Sequence, residues 1–124
     1  MQQGLDSQPD SPLDPPVDSL RDWIGRTESQ LDQVTIPAVH RLAATLDRSD
    51  PMPRPGDPLP PGWYAILFPR VVPQSEIGTD GHPKRGDFLP PVPLPRRMFA
   101  GRRTTFHAEL RIGDEVRKDS TITG

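Results

Sequence analysis

Few residues of this chain are of types that do chemistry unaided, and their spacing excludes more than it offers. The three histidines, His40, His82 and His107, form no His-x-x-x-His pair and no Asp/Glu/His grouping at metal-ligand spacing, so no metal is expected. No cysteine is present, which excludes thiolate nucleophiles, thiolate metal sites and disulfides. There is no Gly-x-Ser-x-Gly turn to expose a nucleophilic serine, and neither a Gly-x-Gly-x-x-Gly nor a Walker-type loop to cradle phosphates. No cofactor is expected.

Each remaining candidate has an ordinary explanation beside a chemical one. His40 falls within a helical pattern beside its apolar stripe, His107 on the polar side of an alternating segment, and His82 just after the Asp80-Gly81 turn. Arg96, Arg97, Arg102 and Arg103 bracket Met98-Phe99-Ala100-Gly101. They read either as a solvated strand end or as forked donors for phosphate groups, to which guanidinium geometry is suited. Pro90-x-x-Pro93 has the shape of a polyproline II ligand, but the basic residue of such ligands would fall on Pro95, so the prolines read first as a brace within the domain.

Residues that could act must be positioned by a fold, and composition limits which. The chain has 124 residues with 18 Pro and 10 Gly, nearly a quarter of the total, and Leu, Ile, Val and Phe make up a similar share. That allows one small, loop-heavy domain of modest core. Fifteen basic against 17 acidic residues leave a net charge of -2, with no electrostatic footprint for nucleic acid. No basic start followed by an apolar core, and no run near the ~20 apolar residues of a membrane span, is found, so a cytoplasmic protein without membrane contact is expected.

Met1 to Val17 is polar and proline-rich and predicts a disordered leader, followed by one domain over 18–124. Asp18 or Ser19 caps a short helix, Leu20 to Ile24, ended by Gly25. The main helix starts at Thr35, carries Pro37 in its first turn and runs to about Asp47. Ile36, Val39, Leu42, Ala43 and Leu46 form its apolar stripe. Trp63 to Phe68 is a continuous apolar run, predicted as a strand covered on both faces, and Pro69 to Pro95 is a long loop. Phe106, Ala108, Leu110 and Ile112 alternate with polar residues, which predicts a strand from Thr104 to Ile112. Gly113-Asp114 then turns the chain into a second strand, Glu115 to Ile122. A register with Leu110 opposite Val116 sets Arg111 against Glu115, Glu109 against Arg117 and His107 against Asp119. One helix and three strands are too little sheet to cover the stripe, so the fold reads as α+β and unfinished at its C-terminal end.

Several blocks carry a resemblance. Asp22-Trp23-Ile24-Gly25-Arg26, Leu42-Ala43-Ala44-Thr45-Leu46-Asp47, Pro60-Pro61-Gly62-Trp63, Gly81-His82-Pro83 and above all Phe88-Leu89-Pro90-Pro91-Val92-Pro93-Leu94-Pro95-Arg96-Arg97-Met98-Phe99-Ala100-Gly101 resemble the N-terminal half of the MaoC-like dehydratases. That family includes mesaconyl-CoA and itaconyl-CoA hydratases and the mitochondrial type 2 hydroxyacyl-thioester dehydratases. The resemblance implies a hot-dog fold, a helix wrapped by antiparallel sheet, incomplete here at its C-terminus. It also implies addition or removal of water beside the carbonyl of an acyl-CoA or acyl-carrier-protein thioester. Substrate-binding residues implied by the matching block are Arg96, Arg97, Met98, Phe99 and Gly101, together with His82.

The family's catalytic loop, Asp-x-Asn-Pro-x-His, has no counterpart. Arg48-Ser49-Asp50-Pro51-Met52-Pro53 stands in its place and keeps the Asp-Pro without the Asn or His, so no catalytic residue is expected in this chain. The resemblance then implies a substrate-pocket half whose partner is a C-terminal hot-dog half or a second subunit. A non-catalytic hot-dog binding or interaction module is the alternative.

Overall fold

The structure, a computed structural model, describes residues 17–124. The predicted leader lies outside the described residues apart from Val17, which opens a 3-10 turn, Val17–Trp23. Gly25 follows this turn, as expected, and its N–H donates to the Ile122 carbonyl at 2.7 Å.

Strand β1, Thr27–Gln33, comes next and is a finding the sequence pattern did not predict. Its only large apolar residue, Leu31, points outward and is 81% exposed, while Glu28, Gln30 and Asp32 occupy the half-buried face. Alternation of apolar residues, the usual sign of a strand, is therefore inverted here.

Helix α1, Ile36–Thr45, forms as predicted. Thr35 accepts the Ala38 N–H at 3.4 Å through its side chain, and Pro37 sits where a missing N–H leaves no bond unmade. The helix closes with the Asp47 N–H on the Ala44 carbonyl and the Arg48 N–H on the Ala43 carbonyl, a Schellman ending with Asp47 left-handed at φ 54°. Val39 and Ala43 of the stripe are buried, whereas Leu46 at its end is exposed.

Trp63 to Phe68 is a 3-10 turn, Trp63–Ile66, and not the predicted strand. Gly62, at φ 88°, starts it. The Leu67 N–H returns to the Tyr64 carbonyl at 3.0 Å, and Pro69 then lacks the N–H a ladder requires. A short apolar run suits either conformation, and among the described residues no partner strand lies alongside this one.

Strand β2, Glu115–Thr121, matches its prediction, but its partner does not. It pairs antiparallel with β1, with Gln33 opposite Glu115, Asp32 opposite Val116, Gln30 opposite Lys118 and Thr27 opposite Thr121. The predicted hairpin with Thr104 to Ile112 is absent. Residues 110–112 instead run beside 56–59, joined by Leu59 N–H to Leu110 O, Gly56 N–H to Ile112 O and Ile112 N–H to Asp57 O. Residues 104–109 are exposed and make no ladder, Phe106 included. The three charge pairs of that register are replaced as well. Arg111 pairs with Glu109, and Arg117 with Asp119, which also accepts from the Ser29 hydroxyl at 2.6 Å. Gly113, at φ 102°, makes the turn and donates to Val34 O rather than closing a hairpin.

Val34, Val39, Leu59, Leu67 and Ile112 form the core, with Trp63, Leu110 and Val116 packed against it. Helix, 3-10 turn, the 110–112 segment and the Gln33–Glu115 end of the ladder thus meet in one small cluster. This is an α+β arrangement, one helix against an antiparallel two-stranded sheet, and corresponds to a partial hot-dog fold. Among the described residues no helix is long and apolar enough to cross a membrane.

Candidate functional site

The long proline-rich segment after Phe68 is held by arginines more than by apolar burial. Arg70 grips Glu28 of β1 with two bonds from Nη2, at 2.8 and 2.9 Å, and reaches Asp87 at 2.8 Å with Nη1. Arg85 donates from Nη1 to the carbonyls of Val92 and Leu94, so the Pro90–Pro95 run folds back around a guanidinium. This supports the reading of those prolines as a brace within the domain. Arg97 Nη2 donates to Pro83 O at 2.9 Å, and its Nε stands 3.5 Å from Asp80.

These contacts shape a cavity of about 620 Å³. His82, Arg96, Arg97 and Met98, four of the six residues implied by the resemblance, line it together. Phe99 and Gly101 do not. Phe99 is 78% exposed, with the Arg102 guanidinium 5.9 Å from its ring centre, and Gly101 is exposed. The His82 N–H donates to Asp80 at 3.0 Å, and this bond, with the Arg97 charge, holds the Asp80 carboxyl below its ordinary range against a smaller burial effect. Arg96 makes no ion pair among the described residues and keeps its full set of donors. Lys84, Arg85 and Arg70 add to the cationic wall, which also holds Asp87; they lie in the long loop outside the matching arginine block, where sequence pattern gave no signal for them.

A second cavity, about 490 Å³, lies between Leu59–Gly62 and residues 104–110. Tyr64 borders it, edge-on to Phe106 with ring centres 6.0 Å apart. The Tyr64 hydroxyl bonds Thr104 Oγ1 and accepts from Arg102 Nη1, each at 3.3 Å, and these bonds lower its pKa from the ordinary phenol value.

His40 and His107 are exposed, and no group of His, Asp or Glu able to hold a metal occurs among the described residues. Asp50, just past the end of α1, is bound by Arg48 Nε and Nη2 at 2.6 and 3.1 Å. Those hydrogen bonds keep its carboxyl below the usual range and so anionic.

Comparison with known proteins identifies the class to which this chain belongs. The sequence profile of the hydroxyacyl-thioester dehydratase type 2 family matches residues 62–124, half of the chain, and the chain belongs to that family. It is also 47% identical over 100 residues to the mesaconyl-C(4)-CoA hydratase of Chloroflexus aurantiacus, covering 81% of this chain and 36% of that protein. The chain thus spans about a third of the length of the relative it matches.

Proposed function

We propose that residues 18–124 form one domain, the substrate-pocket part of a cytoplasmic hydro-lyase acting on an enoyl or hydroxyacyl thioester, as the similar hydratase does by its name. The observation that carries this reading is the cavity in which His82, Arg96, Arg97 and Met98 converge. Its arginines suit the phosphates of coenzyme A or of a carrier-protein arm, and Met98 with Leu94 offers apolar surface to the thioester arm. Phe99 and Gly101, beyond the cavity, would act on the same ligand through the backbone they share with Met98.

Water addition in this family requires a base and an acid, and the segment with Asp50 offers one carboxylate already neutralised by Arg48. The dyad would come from a C-terminal half or a second subunit. The alternative, a non-catalytic binding or interaction module of the same fold, is favoured by that same missing Asn and His.

The test is to measure coenzyme A binding and mesaconyl-CoA hydration by the chain alone and with a C-terminal hot-dog half carrying the Asp-x-Asn-Pro-x-His loop. Binding by the chain alone, weakened about tenfold in Arg96→Gln, with turnover only in the presence of the second half, is expected. Binding without turnover in either arm would favour the non-catalytic module, and no binding would overturn the assignment of the cavity.

A further inference from the structure

We propose that a third cavity, beside the β1–β2 ladder, binds an amphipathic organic carboxylate, with its head on Arg102 and Lys118 and its chain on Phe68 and Val116. The cavity is about 690 Å³ and is remote in chemistry from the Arg96–Arg97 loop. Leu67, Phe68, Leu110 and Val116 give it an apolar lining. Arg102, Arg117 and Lys118 are the charged residues on its wall, and no Asp or Glu lines it among the described residues.

Of the three cations, Arg117 is engaged with Asp119 at 3.1 Å. Lys118 makes no ion pair among the described residues; its ammonium stands 5.3 Å from the centre of the Phe68 ring. Arg102 donates from Nη1 to the Tyr64 hydroxyl, a neutral acceptor, and makes no ion pair among the described residues. Two cations above an apolar lining, neither matched by a carboxylate, form the receptor for an anion with a short hydrocarbon body.

Backbone strain is an independent sign. Phe68 has φ 59°, a left-handed conformation that costs a bulky residue about 1–2 kcal/mol, and it precedes Pro69, whose ring crowds its neighbour further. Asp32 of β1 holds it there by accepting the Phe68 N–H at 2.7 Å. Strain maintained by a specific partner is characteristic of ligand sites. Here it lays an aromatic face under the one lysine of the cavity. The inference stands apart from the thioester reading, since the ligand needs no phosphate and the residues are not those of the first cavity.

Hexanoate titrated into the full chain, followed by NMR of the backbone amides and arginine Nε groups, tests it. Saturable shifts at Phe68, Arg102 and Val116–Lys118 are expected. Affinity should fall about tenfold in Lys118→Met, which keeps the apolar stem and removes the charge. Phe68→Gly should weaken binding comparably with the fold retained, because glycine adopts the positive φ freely. Equal binding of hexan-1-ol, unchanged affinity in Lys118→Met, shifts confined to Arg96–Met98, or no saturable binding would each overturn the proposal. Coenzyme A titrated in parallel reports on the first cavity alone and separates the two readings.

Discussion

Arg70 and Glu28, 42 residues apart in sequence, are joined by two hydrogen bonds of 2.8 and 2.9 Å from one guanidinium nitrogen. The half-buried, polar face of β1 is thereby tied to the loop that carries the arginine-lined cavity, and the third contact, to Asp87, extends the tie into that loop. Lysine cannot span both carboxylates with a fixed fork. Arg70→Lys should destabilise the chain by about 1 kcal/mol, the upper end for partly exposed pairs, read as a lowered denaturant midpoint. It should also weaken coenzyme A binding by loosening the cavity wall.

Tyr64 is the one tyrosine in the sequence, so its ionisation can be followed by ultraviolet absorbance without interference from another. Its pKa lies below the ordinary phenol value because Thr104 and Arg102 bond the hydroxyl. Thr104→Val and Arg102→Gln should each raise the midpoint of the tyrosinate transition. A midpoint unmoved by both would show that neither contact persists in solution.

Three carboxyls, Asp50, Asp80 and Asp119, have pKa values lowered in the fold, by Arg48, by the His82 N–H and by the Ser29 hydroxyl respectively. A carboxyl depressed by folding contributes stability above its unfolded pKa, and that contribution is lost as pH falls through the folded value. With respect to these groups, stability should therefore be flat near neutrality and decline from the ordinary carboxylate range downward. Ser29→Ala should raise the Asp119 midpoint, measured by carboxyl NMR, and so lower stability at neutral pH while making its loss in acid smaller.

Two substitutions should stabilise. Asp47 occupies a left-handed position at the helix end, where Asp47→Gly removes a steric cost of about 1 kcal/mol. Gln30 Oε1 is buried with no hydrogen-bond partner among the described residues, and Gln30→Met exchanges it for an apolar atom of similar reach, worth about 1 kcal/mol. Both should raise Tm, and because the sites share no partner their effects should add.

What the sequence made legible follows what local signals can encode. Thr35, Pro37 and the spacing of Val39 and Ala43 specify α1 by capping, fixed φ and periodicity, all of which act within one turn. β2 was legible as an extended segment, but its partner was not. The alternation of Phe106, Ala108, Leu110 and Ile112 invited a hairpin, whereas the actual partner, Thr27–Gln33, half-buries Glu28, Gln30 and Asp32 and satisfies Glu28 with Arg70 and Asp32 with the Phe68 N–H. Such long-range polar pairing leaves no periodic trace. In the candidate site the clustered arginines were readable by type. The convergence of His82 with Arg96–Met98 depends on Arg85 and Arg97 binding loop carbonyls, which spacing alone does not disclose.

The pairing of β1 with β2 also governs how the chain can fold. Gln33 and Glu115, the innermost partners, enclose about eighty residues, so the ladder cannot zip from a local turn. Contacts of that sequence separation slow folding, which places the ladder after α1 and the Trp63–Ile66 turn in the order of events. Because closure entropy rises only logarithmically, doubling the enclosed length adds only ~0.6 kcal/mol. The proline-rich middle of the chain is thus free to lengthen, shorten or change sequence between relatives while the same clasp holds its two ends.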